Sequence, residues 1–588
     1  MTDEYFGMTP IKRGLRRIAF LQNEVAGVHA AALILGAAGL ASRILGVVRD
    51  RLLAAAFGAG RELDIYHTAF NIPDFMATVF LLGGATAAIL PVFQEYRGRD
   101  PARARQFIAL LSALFLIGSA GAAVAAFFAS PLVMRFIVPG FSGADQARVL
   151  LLARMMLLAP ILLGLSGIFS VVVQSHQRFF IYALAPILYN LGIMFGIVAL
   201  APRMGIAGVA AGVVAGAVLH TGLQMGSASA LGFWSARDFF RTLTALRERL
   251  KSLGGDLREV ALIAVPRALA VSLAQLTLAA LDAIGSTLAP GSVAAFGFAQ
   301  NLYFVPVGIF GVSYATAIFP RLVRSAAAAQ RADFFQELVG GVRSILFWAA
   351  PAAALTIVLR AHIVRAALGS GAFSWDNTRA VASVLAALAL AMMAGAVQTL
   401  LVRAFYALGK TGIPLAVNAA ASLVSVALAL FLIRAFAAHT VLSAWLVAIF
   451  RIADLPHPEV IALGLGFAAG LLLDVGMLYF LLMRCARRQL GGVSPGIAAD
   501  GAKIIGAACI AGLVAYFVRA SFSDALPLIT WARVFAQGTA AAAAGFGAYV
   551  GVLALVGSED VALLRRAARR RLFSLRILPS YWDGDEMK

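Results

Sequence analysis

Charge is what this sequence has least of. Only 13% of its 588 residues are Asp, Glu, Lys or Arg, and 61% are hydrophobic. Soluble globular chains carry about 25% charged and roughly 45–50% apolar residues. A soluble core of this size would need a charged coat that the chain cannot supply, which excludes a water-soluble enzyme and a disordered polar protein. Cysteine is almost missing: Cys485 and Cys509 stand alone, too few for a disulfide-built secreted module. The seven histidines have no metal-ligand spacing, and there is neither an ATPase phosphate loop nor a serine nucleophile in a strand–turn–helix setting. These absences argue against an enzyme. Acidic residues are scarce too, 28 against 48 Lys and Arg, for a net charge of +20. In a soluble chain that surplus would suggest nucleic acid. Residues 1–25 lack the small-residue cleavage site of a signal peptide and read as an amphipathic cytoplasmic segment.

Long apolar runs are what the chain does have. A membrane-spanning helix needs about 20 apolar residues, and fourteen such runs occur, near 26–48, 64–92, 107–133, 149–173, 179–201, 205–226, 259–285, 291–319, 343–367, 380–402, 412–435, 460–483, 503–519 and 534–556. Numbered in that order as spans 1–14, they predict an all-α integral membrane protein. With the N-terminus inside, 32 of the 48 Lys and Arg fall on the inner segments, 13 on the outer ones, and Arg43, Arg154 and Arg267 within spans. That bias places both termini in the cytoplasm and assigns the basic surplus to the anionic inner leaflet, not to nucleic acid.

The chain repeats itself. Ala85-Thr86-Ala87-Ala88-Ile89-Leu90-Pro91 in span 2 returns as Tyr314-Ala315-Thr316-Ala317-Ile318-Phe319-Pro320 in span 8. Pro186-Ile187-Leu188-Tyr189-Asn190 returns as Pro414-Leu415-Ala416-Val417-Asn418. The offset from Pro91 to Pro320 is nearly the same as that from Pro186 to Pro414. It implies two six-helix halves of equal orientation, related by an axis along the membrane normal, plus an extra pair. Many transporters follow this plan, with substrate bound between halves near the midplane. The expected organisation is a cytoplasmic segment 1–25, an N-lobe 26–230, a basic linker 231–258, a C-lobe 259–484, a helix pair 485–557 and a basic tail 558–588.

Charged side chains within spans are costly and by default line a wet cavity. Arg43 and Arg49 are six residues apart, ~120° around a helix, so both could border one broad cavity; Arg49 and Asp50 could instead sit at the interface. Arg267 and Asp282 are fifteen residues apart, ~60° around, and share a face. Span 2 opens on Glu62, Asp64 and Tyr66, contains Asn71, Pro73 and Asp74, and its Gly83-Gly84 predicts a bend. Asp474 is alone in span 12; with Asn418 and Ser422 it could bind a hard cation such as sodium, or be an ordinary hydrogen-bonded carboxyl. Arginines in an apolar cavity suit phosphate-bearing substrates, because guanidinium pairs bidentately with phosphate oxygens. A lipid-linked diphosphate fits, with spans 13 and 14 walling a groove for its tail.

Ala41-Ser42-Arg43-Ile44-Leu45-Gly46-Val47-Val48-Arg49-Asp50, Phe57-Gly58-Ala59-Gly60, Leu63-Asp64, Ala69-Phe70-Asn71-Ile72-Pro73 and Pro91-Val92-Phe93-Gln94-Glu95-Tyr96 resemble the opening signature of the MurJ (MviN) family of lipid II flippases. Pro306-Val307-Gly308-Ile309-Phe310-Gly311-Val312 through Phe319-Pro320-Arg321-Leu322 is a second match. The resemblance extends over spans 1–12. It implies a two-lobe carrier of the multidrug/oligosaccharidyl-lipid/polysaccharide exporter superfamily, moving undecaprenyl-diphosphate-linked peptidoglycan precursor to the outer leaflet of the bacterial inner membrane by alternating access. Arg43, Arg49, Asp50 and Asp64 match charged family positions. The family's Arg-Arg pair in span 2 is Ala77-Thr78 here, the acidic residue after it is Leu82, and the span-8 arginine is Asn301. The candidate substrate contacts are therefore Arg43, Arg49, Asp50, Asp64, Arg267, Asp282 and Asn301, with Arg267 compensating for a missing cation. Asp474 and Asn418 are the candidate sodium ligands, coupling otherwise coming from the membrane potential. No other cofactor is expected. Expected partners are the precursor, membrane lipids and cell-wall synthesis proteins. The alternatives are an exporter of another lipid-linked glycan or a drug, and a non-transporting scaffold. Residues 437–459, with Trp445, Phe450 and Pro456, read as a re-entrant or interfacial segment.

Overall fold

In a hydrocarbon environment each backbone N–H and C=O must be satisfied within its own segment, which leaves long apolar runs the helix. In the computed structural model every regular element among the described residues is helical. The structure describes residues 28–80, 85–328, 330–490, 496–523, 530–562 and 565–566; within these, side chains at 28–35, 80, 85–88, 256–257, 259–271, 331, 485–490, 496–499 and 523 are not described. The expected segments 1–25 and most of 558–588 lie outside them. Ten helices among the described residues are long and apolar enough to cross a membrane, eleven if Trp375–Leu390 and Met392–Ala407, bent by 48°, form one span. The three other predicted runs fall on the helix Val28–Phe57, on Arg61–Ala69, Asn71–Phe80 and Ala85–Arg99, and on Leu246–Ser286. The described parts of all fourteen runs are therefore helical apart from single-residue breaks, and the chain is a multi-pass membrane protein.

Local chemistry sets several boundaries. Asp100 caps Pro101–Ile137, its carboxylate accepting from the N–H of Ala102 and Arg103, with Pro101 at the position where a missing N–H costs nothing. Thr440 and Thr530 cap Val441–Phe450 and Trp531–Leu555 in the same way. Two features add detail to the expected plan. The first helix continues nine residues past 48 to Phe57, so Arg49 and Asp50 sit within it, with Asp50 buried. The expected linker is itself structured: Ala236–Thr244 is a helix, and 246–258 begin the long helix Leu246–Ser286. In 437–459 the ten-residue apolar helix Val441–Phe450 exposes Trp445, as an interfacial segment would.

The chain divides into two compact units. One comprises Met1–Phe298, Ala367–Val381 and Asn418–Phe467; the other comprises Ala299–Ala366, Ala382–Val417 and Ala468–Lys588. The dividing points fall inside helices.

In the first unit, Phe93, Phe107 and Phe169 lie fully buried in one apolar cluster. The helices Phe179–Phe195 and Ile206–Ala230 meet through glycine: a Cβ on Gly192 would stand 2.2 Å from Gly216 Cα, and one on Gly196 2.6 Å from Gly212 Cα. Without a hydrophobic force between helices in lipid, such backbone approach is what holds them. In the second unit, Phe334, Leu400 and Phe405 centre a cluster, and the C-terminal pair Gly496–Ser523 and Trp531–Leu555 packs by the same device, Gly545 lying against the Ala511 carbonyl. Tyr549 donates to the Phe347 carbonyl at 2.7 Å, and Arg343 pairs with Asp500, Glu559 and Asp560, fastening the pair to Arg331–Leu368.

Candidate functional site

The polar side chains of the first unit gather in two places. The first is centred on Arg49. Its Nε and Nη2 donate to Asp50 Oδ1 at 3.0 and 2.8 Å, and its Nη1 donates to Asn190 Oδ1 at 3.3 Å. The Asn190 amide in turn donates to the Pro186 carbonyl at 3.1 Å and to Ser42 Oγ at 3.5 Å. The repeat residue Asn190 therefore ties the fifth span to the first. Three of the five guanidinium donors are in use, and the charge of Arg49 is matched by a buried carboxylate. An incoming anion would meet a neutralised pair rather than an open arginine. Arg43, on the same helix, is half-buried.

The second place is one end of the unit, where three chain segments are fastened together. Asp64, 1% exposed, accepts from the N–H of Gly291 at 2.6 Å and of Ala294 at 2.9 Å, with Arg61 at 3.8 Å. It thus caps the helix Ser292–Pro306 from a distant part of the chain; a carboxylate suits the N–H-rich, positive end of a helix. Gly291 has φ +93°, and a Cβ there would lie 2.2 Å from the Ala59 carbonyl, so only glycine permits this approach. Asn377 accepts from the Ala59 N–H and donates to the Ala59 carbonyl, at 3.2 and 3.1 Å. Ala372 N–H donates to the Ala55 carbonyl at 2.9 Å, and Arg51 to the Gly369 carbonyl at 3.3 Å. His67 packs edge-on against Phe298. Most of these bonds join one side chain to a backbone group far away in the chain, so composition carries no sign of Asn377 or Ala372. Asp64 and Phe57-Gly58-Ala59-Gly60 are its legible parts.

Several acids of the first unit lie near one another among the described side chains. The helix Leu246–Ser286 brings Asp282 beside Asn71, although Asn71 Nδ2 finds no acceptor of good geometry. Asp282 also feels Asp64 and Asp74, and Asp74 is exposed. The Arg267 side chain, expected to share a face with Asp282, lies outside the described side chains.

In the second unit, Asn301 is half-buried on its helix. Asp474, 2% exposed, accepts from Gln398, and its other oxygen has no partner. Asn418 belongs to the first unit; its carbonyl accepts from Ser422, whose Oγ also accepts from Thr277 at 2.6 Å. Among the described residues no group of three His, Cys, Asp or Glu could hold a metal ion. The chemistry on offer is charge pairing and reversible hydrogen bonding.

A family model described as lipid II flippase MurJ matches residues 53–456. A probable lipid II flippase MurJ of Rhizobium tropici is 29% identical over 441 residues, covering 71% of this chain and 79% of the relative. Lipid II flippase MurJ of Burkholderia cenocepacia is 25% identical over 375 residues, covering 63% and 71%. Among solved structures, a lipid II flippase MurJ in an inward closed conformation is similar with a TM-score of 0.67 at 21% identity, covering 89% of this chain and 98% of that one. An inward-facing MATE family transporter of the MOP superfamily follows the same fold with a TM-score of 0.59 at 13% identity, covering 77% and 96%.

Proposed function

The chain belongs to the MurJ family, and from that premise we propose that it flips lipid II, the lipid-linked peptidoglycan precursor, from the inner to the outer leaflet of the bacterial cytoplasmic membrane by alternating access. The match across residues 53–456 is the observation that carries this reading. It is a family of transporters, and this chain acts by binding and conformational change rather than catalysis. The loop charges support cytoplasmic termini, which put the Asp64–Gly291 and Asn377–Ala59 fastening at the outer face. Release on that side requires these bonds to part. They are suited to do so, because each joins backbone to one side chain that water can replace. Arg43, Arg49 and Arg267 are the proposed diphosphate contacts, Arg49 being freed when an anion displaces Asp50. Coupling to the membrane potential, or to sodium at Asp474 and Asn418, would supply direction.

The test is translocation of labelled lipid II by the purified chain in liposomes, with and without a sodium gradient, alongside rescue of flippase-depleted cells. Transport and rescue are expected. The replacement of family cations by Ala77, Thr78 and Asn301 favours a second reading, in which the cargo is a different polyprenyl-diphosphate glycan. Movement of such a glycan with no movement of lipid II would select it.

A further inference from the structure

The second unit holds a guanidinium that the function above leaves without a task. Arg403 lies on the helix Met392–Ala407 and is half-buried. Its Nη1 donates to Thr316 Oγ1 at 2.7 Å and to the Val312 carbonyl at 3.3 Å. Thr316 Oγ1 itself donates to the same carbonyl at 2.6 Å, so three groups close on one another. Val312 ends the π-helical turn Val307–Val312, a local widening that recurs at functional positions. The helices are pinned at this level, because Gly311 lies so near Ala396 that a Cβ would stand 2.7 Å from its carbonyl. One edge of the guanidinium is thereby engaged by a carbonyl and a hydroxyl that are bonded to each other.

The other edge is open. Among the described residues Nε and Nη2 of Arg403 donate to nothing, and no carboxylate pairs with it. Val312, Ser313, Thr316 and Ala317 are all exposed beside it. Arg403 stands one residue past the apolar run 380–402, at its expected cytoplasmic end, where a cation beside exposed hydroxyls can meet anionic head groups. Its fork matches two oxygens of a phosphate.

We propose that Arg403 binds the phosphate of a lipid head group, with Nη1 moored to Val312 and Thr316 and the remaining donors presented to the anion. The identity of that anion as the diphosphate of the transported precursor rests on the function proposed above. Asn301, which replaces a family arginine, lies eleven residues before Val312 on the same run of helix, about 16 Å along the axis. On this view the cation has moved along the helix bundle rather than been lost.

The experiment uses the full-length chain in nanodiscs and liposomes, comparing wild type with Arg403→Gln, Arg403→Lys, Thr316→Val and Thr316→Ser. The binding probes are undecaprenyl diphosphate and, separately, phosphatidylglycerol. A lost charge-assisted hydrogen-bond pair predicts roughly ten- to hundredfold weaker undecaprenyl diphosphate binding in Arg403→Gln. Arg403→Lys should recover part of it, Thr316→Val should lose a smaller part, and Thr316→Ser should match wild type. Phosphatidylglycerol binding and the unfolding temperature should not change. Unchanged diphosphate binding in Arg403→Gln, or a loss explained by a lower unfolding temperature, overturns the proposal. Loss of phosphatidylglycerol binding alone overturns the diphosphate assignment and gives the site to bulk lipid. If wild type flips no lipid II yet Arg403→Gln still loses the diphosphate, the proposed function fails and the anion site stands.

Discussion

At the scale of single residues, two carboxylates do different work. Asp50 neutralises its neighbour Arg49, while Asp64 serves as a helix cap for a segment more than two hundred residues away. Asp64→Ala leaves the Gly291 and Ala294 N–H groups unsatisfied, and a loss of about 2–3 kcal/mol is expected in denaturant unfolding. Asp64→Asn, which keeps one acceptor, should lose less. At Asp50 the expectation has a sharper form. Removing one member of a largely buried pair strands the other, so Asp50→Ala should cost about 3 kcal/mol. Arg49→Met combined with Asp50→Ala should cost less than that single change. A double mutant at least as unstable as the sum of the singles would mean the pair is not coupled as its geometry states. The charged family positions were legible in the sequence because charge within an apolar run is conspicuous. Their partners were not. Nothing in the order of residues says that Arg49 meets Asn190, or that the acceptors of Arg403 lie on the helix Ser313–Ala327 and the turn before it.

At the scale of helices, glycine decides how near two elements can come. Gly196→Ala puts a methyl 2.6 Å from Gly212 Cα and should cost about 1–3 kcal/mol as overpacking. Gly222→Ala lies on the same helix pair's far side with nothing within 4 Å of the new methyl, and should be neutral or slightly stabilising. Thermal unfolding of the two variants side by side separates packing from propensity. The helices themselves followed from apolar run length alone, and Pro91 and Pro320, which the repeat pairs, each lie inside a helix. The breaks were less visible. Span 2 is interrupted at Phe70, where Pro73 cannot donate to the Ala69 carbonyl four residues before it, while Gly83-Gly84 lie outside the described residues. The bend at Ala391, between Trp375–Leu390 and Met392–Ala407, has no such mark in the sequence, whereas a proline adjoins each of the two π-turns among the described residues, Pro202 and Pro306. Helix geometry at one residue depends on which neighbour presses on it.

At the scale of the whole molecule, the surplus of Lys and Arg is an address. Both termini are expected in the cytoplasm, so in a chain whose two cysteines are replaced by alanine, Ala144→Cys should react with a membrane-impermeant thiol reagent in intact cells. Lys410→Cys should react only after lysis. The reverse pattern would invert the topology and move the Asp64 fastening to the inner face.

What the sequence determined by itself is the environment and the architecture: hydropathy and charge bias are sums over neighbouring residues, so fourteen apolar runs, their helical form and the doubled plan could be read without a fold. Tertiary structure alone decided which charges are matched and which remain available. Arg49 is neutralised by Asp50 and held by Asn190, Asp64 is committed to a helix end, and among the described residues Arg403 keeps one edge of its guanidinium unengaged. Pairing energy depends on separations of a few ångströms between residues far apart in the chain, and those separations exist only once the helices have packed.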